Sequence, residues 1–445
     1  MPGARYSKFN VPPHLFKPEP PSDPRQVKRL FCGRPTELHV GVERLKAGLD
    51  LRGRRANGDK YPWVIHGESR SGKSHLARRI FADFPESEQR WQVRVIAGGQ
   101  LDAIRVLQQL FEKFSAFFDA RLMDQKLPVD PLQTVEIRIA KQLVDRIGLF
   151  ESGTQSVTLT AEDSQRRTRE MAGEIGNATL LAKFIAKFQT ERSQKDSVQL
   201  AVRPPTPADL ADVCGIMAET LLRHGLIKHV LVLLDDIDLL ETYQSPQQNA
   251  RVQRSLLADA IHNLHSAPGV DVVLTARSWY VHSDDKRLHT LVDLSRFNPM
   301  NVDDLLSVHD ERLKISKNPA AAFLTREALR QLAADVVGLP GVFLQHLQGA
   351  FYQFQNEDDS APRDYEWFLN SVRSHLDTLK DKCRDGFQAI QQAISRGSLT
   401  IDVRERNPFF GTSLQNEYVY QSYYSETTLF ITGLLVKVMP VAAES

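Results

Sequence analysis

Two apolar patterns alternate along the first 300 residues. Short unbroken runs, "WVIH" (63–66), "WQVRVIAG" (91–98), "HVLVLLDDIDLL" (229–240) and "VDVVLTAR" (270–277), predict strands buried on both faces. Between them, "ELHVGVERLKAGL", "SHLARRIFADF" and "LDAIRVLQQLFEKFSAFFDARL" carry apolar residues at helical spacing. This alternation predicts an α/β fold, a parallel sheet with helices on both faces. Residues 125 to 225 read mostly as helices, interrupted by two short β-like pieces, "SVTLT" and "SVQLAV".

After residue 300 the strand pattern stops. "NVDDLLSVHDERLKI", "TREALRQLAADVVG" and "GVFLQHLQGAFYQF" predict three helices. The polar "NEDDSAPRD" (356–364) reads as a linker, and helices continue to about residue 396. "NEYVYQSYYSETTLFITGLLVKVM" predicts a β-hairpin, with Tyr418, Tyr420, Tyr423 and Tyr424 favouring strand. The expected organisation is a tail (1–28), a core (29–300) with a helical insertion at about 100–228, a helical lid (301–356) and a helical and β-hairpin, winged-helix-like C-terminal module (364–445).

Composition narrows this picture modestly. The 445 residues are 42% hydrophobic and 25% charged, ordinary for a globular chain of two or three domains. A formal net charge of +1 gives no global nucleic-acid signature, though it leaves room for a local basic stripe. Cys32, Cys214 and Cys383 lie far apart, with neither metal spacing nor a disulfide framework, which points to a reducing cytoplasm. Residues 1–28 hold seven prolines and read as an extended, unpacked leader without a secretory h-region. "LFITGLLVKVMPVAA" is too short and too interrupted to span a membrane.

The candidate chemistry lies at the end of the first strand. Gly67-Glu68-Ser69-Arg70-Ser71-Gly72-Lys73-Ser74 fits G-x-x-x-x-G-K-[ST] between a strand and a helix. Glycines let successive backbone N–H groups face inward, and with the helix N-terminus, which includes His75, they can hold anionic phosphates. Lys73 supplies a point charge to the β- and γ-phosphates, and Ser74 Oγ is a Mg²⁺ ligand candidate. About 160 residues on, "LVLLDD" supplies the acidic strand end such a site needs. Asp235 is the candidate for the magnesium shell, and Asp236 for a base that polarises the attacking water. Thr275 and Arg277 close the next strand, at the sheet edge where α/β folds bind ligands, and are placed to sense the γ-phosphate.

With these segments in this order, the chain resembles the AAA+/STAND group of P-loop ATPases over about residues 29 to 352. Phe31, Gly33, Arg34 and Glu37 match the family's "F-x-G-R-x-x-E-L" segment, which implies that Arg34 lies near the nucleotide. "LTAR" resembles the sensor-1 strand, and "FNPMNVDDLLSVHDERLKI … LTREALRQLAADVVGLPGVFLQHL" resembles the lid of origin-recognition-type members. The resemblance implies an ATPase that binds ATP and Mg²⁺ and assembles as a homo-oligomer, a ring or filament. It also implies an arginine contributed in trans, with Arg287 the first candidate and Arg296 the second. Two features depart from the pattern. The Asp235-Asp236 ending is like that of NB-ARC and KAP-type ATPases and implies a slow switch, and Gly341 stands where a sensor-2 arginine belongs.

About 130 residues separate the second strand from "LVLLDD", far more than a compact crossover needs. Within them, residues 164–195 carry a mild basic excess, including Arg166, Arg167, Arg169, Lys183 and Lys187. Two function classes therefore stand: an ATP-dependent switch acting on or with DNA, in replication, transposition or phage defence, and a STAND-type switch relaying a trigger to a separate effector protein. A small-molecule kinase fits the acidic strand and lid pattern less well.

Overall fold

The computed structural model describes residues 15–18, 21, 23–50, 62–68, 70–87, 89–96, 103–124, 206–237, 247–278, 293–316, 322–357, 361–380, 384–402, 419–421 and 428–439. Ser69, Arg287, both β-like pieces and the basic stretch 164–195 lie outside these residues.

Five strands, β1 (Trp63–Gly67), β2 (Arg90–Ile96), β3 (His229–Asp235), β4 (Val270–Arg277) and β5 (Asp293–Phe297), form one sheet in the order β2-β3-β4-β1-β5. Every pairing in it is parallel. β3 is buried along its whole length, as its unbroken apolar run requires. Three helices, α4 (Ala103–Asp124), α5 (Pro207–Arg223) and α6 (Gln247–Ser266), share one apolar cluster with β2, β3 and β4. The opposite face holds α2 (Pro35–Asp50) and α3 (Lys73–Asp83), packed through Leu45, Leu76, Ile80 and Phe81. This is the α/β fold, a parallel sheet with helices on both faces, that the periodicity predicts.

One predicted boundary changes. The insertion expected at about 100–228 begins and ends in α4 and α5, yet both helices are part of the sheet's own covering layer. Thr206 starts α5 with a capping box, its hydroxyl taking the Asp209 N–H while Asp209 takes the Thr206 N–H, and Pro207 follows at the first helical position.

The three helices predicted after residue 300 are α7 (Val302–Ser316), α8 (Arg326–Asp335) and α9 (Pro340–Phe354). They are followed by α10 (Tyr365–Lys380), α11 (Arg384–Ser395) and a short α12 (Gly433–Val438). The predicted hairpin is β7 (Val419–Gln421) against β8 (Thr428–Ile431), and β6 (Thr400–Asp402) joins it as a third antiparallel strand. Lid and C-terminal module share one continuous apolar cluster.

The leader is the clearest correction. Leu15 and Phe16 are buried in the lid cluster, Phe16 completely. The Phe16 ring stacks on His309 and meets Phe323 and Phe351 edge-on, and the Phe16 N–H donates to Gln348 Oε1 at 3.0 Å. Burying such a side chain is worth about 2 kcal/mol or more. Residues 24–30 then form a helix, α1, capped by Asp23. Proline content hid this anchoring, because two apolar residues among prolines carry no periodic signal.

Candidate functional site

The strand order brings the predicted pieces together. β4 lies between β1, which carries the glycine-rich loop, and β3, which carries the acids. In register, Ile65 pairs with Thr275 and Gly67 with Arg277 on one side of β1, and Gly67 pairs with Phe297 on the other. Ile96 of β2 pairs with Asp235. Loop, acids and sensor strand therefore meet along the carboxyl edge of one sheet, where open α/β folds bind ligands.

The loop is built for an anion. Gly72 sits at φ 97°, a left-handed conformation that a side chain would strain, and this turn aims α3 at the loop. The first backbone bond of α3 runs from the Leu76 N–H to the Gly72 carbonyl. The amides of Lys73, Ser74 and His75 thus precede the first i→i−4 bond, and Gly72 offers no side-chain cap. By contrast, Thr206, Thr325 and Thr432 cap α5, α8 and α12. Ser71 is fully buried and its Oγ has no hydrogen-bond partner among the described residues. Lys73 is buried too, its ammonium donating to the Glu68 carbonyl at 2.6 Å and the Gly67 carbonyl at 3.2 Å. Uncapped amides, an orphaned hydroxyl and a lysine held over the loop all fit a bound phosphate chain.

The acidic end is arranged differently. Asp235 is buried, with Oδ1 accepting from Thr275 Oγ1 at 2.7 Å. Its Oδ2 accepts from Arg94 at 2.9 Å and, more weakly, from Arg78 at 3.4 Å. Burial pulls the Arg94 guanidinium below its usual range, with the charges of Asp235 and Asp236 opposing the shift. Asp236 follows in left-handed backbone, φ 59°, a region Asp tolerates better than most residues. The Asp236 N–H donates to Thr275 Oγ1 at 2.9 Å. A magnesium ion at Asp235 would compete with two guanidinium groups for Oδ2, so the residues fit the metal only once Arg94 has moved aside.

Thr275 was expected to sense the γ-phosphate; its buried hydroxyl donates to one acid and accepts from the backbone of the next, a strut that fixes both acids. His75, expected at the nucleotide, has its ring edge-on to Phe31 at 5.4 Å and hydrogen-bonded to the Val27 backbone. Burial, aided by the Arg312 charge, drives the His75 pKa down to about 4, so the ring is neutral at pH 7. Only its backbone amide belongs to the loop's N-terminal set. Arg34 lies over the Phe297 ring at 4.1 Å, bonds Glu37 at 2.9 Å and donates to the Asn298 carbonyl. It braces the end of β5 beside the loop, where a Cβ added at Gly72 would lie 3.6 Å from the Phe297 ring.

Sequence reasoning missed Arg94 and Arg78, and placed Glu68 in the loop without marking its titration. Glu68 is half-buried, and burial pushes its pKa up to about 7 against the pull of Lys73, Arg296 and Arg277. That coupling places Arg277 and Arg296 near the same carboxylate. Alternation in "RWQVRVI" could have marked Arg94 as a side chain on one face of its strand.

The α9 helix, in the segment expected to form a lid, touches the loop directly. Gly341 N–H donates to the Arg70 carbonyl at 3.0 Å, and Arg70 Nη1 donates to Gln345 Oε1 at 2.5 Å. A Cβ at position 341 would come within 2.9 Å of Arg70 Cβ. No side chain fits there without displacing the loop, which accounts for the glycine where the resemblance calls for arginine. The guanidinium at this junction comes from the loop instead.

No protein-family model matches the chain, and no curated protein matches it. Among solved structures it is similar to the Aeropyrum pernix ORC1 protein in complex with DNA, at 14% identity over 87% of this chain and 76% of that one, TM-score 0.44. Cdc6p from Pyrobaculum aerophilum is similar at 12% identity over 96% of this chain and 98% of that one, TM-score 0.43. The Aeropyrum pernix ORC2 protein, solved as ADPNP–ADP complexes, is similar at 11% identity over 96% of each chain, TM-score 0.43. Among the described residues no helix is long and apolar enough to cross a membrane.

Proposed function

We propose that the chain is an AAA+-type ATPase that binds and slowly hydrolyses ATP, assembles with copies of itself, and acts as a nucleotide-dependent switch with DNA. One observation carries the nucleotide part. Two segments about 160 residues apart in sequence meet across β4, where Thr275 ties Asp235 and Asp236 beside the strand that bears the uncapped phosphate loop.

In this reading the α3 amides, Ser71 and Lys73 hold the phosphates, and Ser74 with Asp235 holds magnesium. Bound magnesium would neutralise phosphate charge. Asp236 takes a proton from the attacking water, and Arg277 supplies positive charge at the γ-phosphate end. Arg296 is exposed at the end of β5 near the chain's own Glu68, which suits a role within its own subunit. Arg287 is then the residue proposed to act in trans. DNA as partner rests on the sequence resemblance and on the basic excess of residues 164–195.

A second reading, a STAND-type switch relaying its state to a separate effector, is favoured by the guanidinium groups on Asp235, which suit slow turnover. Particle size with ATP and magnesium, with and without duplex DNA, separates the two. ATP-dependent assembly that DNA promotes and salt weakens supports the first. Assembly indifferent to DNA selects the second, and no nucleotide-dependent change defeats both.

A further inference from the structure

A cavity of about 610 Å³ lies beside the phosphate loop but apart from the site described above. Two of its walls are α9 and α10, a third is the Lys17–Pro18 segment, and Arg70 closes the end nearest the loop. None of the described residues lining it is acidic. Lys17 and Arg70 bring an ammonium and a guanidinium, His346 and His375 bring imidazoles, and amides and hydroxyls make up most of the remainder. Two of the polar groups, His346 on α9 and Ser371 on α10, belong to buried residues rather than to a solvated rim. The segment that brings Lys17 here is fixed by its neighbour Phe16, buried in the lid core, so this cation is held at the cavity mouth.

A concave site whose charges share one sign concentrates oppositely charged ligands. Its volume lies in the range of small-molecule sites, well below what a duplex would require. Guanidinium, imidazole and hydroxyl donors together match phosphate oxygens. We propose that this cavity is a second ligand site, for a small molecule bearing one or more phosphate groups. Arg70 is its shared wall with the nucleotide loop. The same residue bonds Gln345 of α9, which also lines the cavity, so an anion seated here would meet the guanidinium that joins lid to loop.

The test uses inorganic pyrophosphate as probe and the Lys73→Ala chain, in which the loop's own anion site is weakened. Calorimetric titration should find one pyrophosphate site in this chain. The same site should remain in the unaltered chain saturated with ADP. Adding Lys17→Glu and His375→Glu, both at exposed positions, should weaken that binding at least tenfold, with unchanged far-ultraviolet circular dichroism showing that the fold persists. Millimolar pyrophosphate that does not bind, or that binds equally well after charge reversal, overturns the proposal. A duplex oligonucleotide that depends on Lys17 and His375 where pyrophosphate does not bind also overturns it. Pyrophosphate binding retained in a chain that ignores ADP would sink the nucleotide reading and leave this one standing.

Discussion

The two ends of the candidate nucleotide site are prepared in opposite ways. At the loop, polar groups are left wanting. The amides of Lys73, Ser74 and His75 lie at an uncapped helix start, and Ser71 Oγ is buried without a partner among the described residues. At the acids, demand is already met, since Asp235 accepts from Thr275, Arg94 and Arg78 together. An unsatisfied buried donor costs about 1–3 kcal/mol, so the loop gains by taking an anion. A buried carboxylate with guanidinium partners gains much less from a metal. Nucleotide binding and hydrolysis should therefore separate under mutation, with the loop governing affinity and the acidic end governing turnover.

The largest expected effect is on turnover. Asp236→Asn removes the base and keeps the shape, and Asn tolerates left-handed backbone as well as Asp does, so the chain should fold. ATP affinity should hold while steady-state hydrolysis drops by about 10²–10⁴. Hydrolysis at the unaltered rate would remove Asp236 from the chemistry. Next comes Lys73→Ala, which should weaken ATP and ADP binding by about 100-fold, the loss of roughly one charge-assisted contact of 1.5–3 kcal/mol. Unchanged affinity in a fluorescent-nucleotide titration would defeat the loop assignment.

A third change probes the closed end. Arg94→Ala leaves Asp235 with Thr275 and the more distant Arg78. The metal-free chain should melt a few degrees lower, an effect of about 1–2 kcal/mol. Magnesium should restore the lost stability, and its affinity should rise about tenfold, because its competitor at Oδ2 is gone. Equal magnesium effects on the melting of both chains would show that Arg94 does not guard the carboxylate.

The difference between the two ends also explains what the sequence could reveal. Gly72, Lys73 and Ser74 are contiguous, so their geometry is local and their spacing betrays it. Asp235 and Thr275 were legible one step further, as polar residues closing apolar strands. Arg94 was not, because its meeting with Asp235 depends on β2 pairing with β3, and strand order is a property of the whole sheet. The bond between Thr275 and the acids was not legible, since a hydroxyl at that edge can face phosphate or acid equally well in one dimension. Phe16 was hidden for a similar reason, as its ring partners are His309 on α7, Phe323 and Phe351 on α9, about 300 residues away. The α/β fold itself was visible throughout, because buried parallel strands and amphipathic helices write different periods.

The smallest expected effect is the one most specific to the loop. Burial raises Glu68 from an ordinary value of 4.5 to about 7, so in the folded chain it is mostly neutral at pH 6 and mostly ionised at pH 8. The folded state thus holds this proton at pH values where the unfolded chain has released it. The associated stabilisation is complete below about pH 4.5 and fades as pH rises through about 7. Ionisation also places a negative charge within the loop that is proposed to receive phosphate. Across an effective distance of about 4 Å in a water-like medium, such repulsion is worth about 1 kcal/mol, or roughly fivefold in affinity. ADP should therefore bind more weakly at pH 8 than at pH 6, beyond the change due to the ligand's own titration. Glu68→Gln cancels the protein's share and leaves the ligand's, so the ratio of the two chains' dissociation constants isolates it. That ratio should approach one at pH 6 and reach a few-fold in favour of the glutamine chain at pH 8. A ratio independent of pH would mean that Glu68 does not face the bound phosphates, and the amides of α3 would then have to hold them on the far side of the loop.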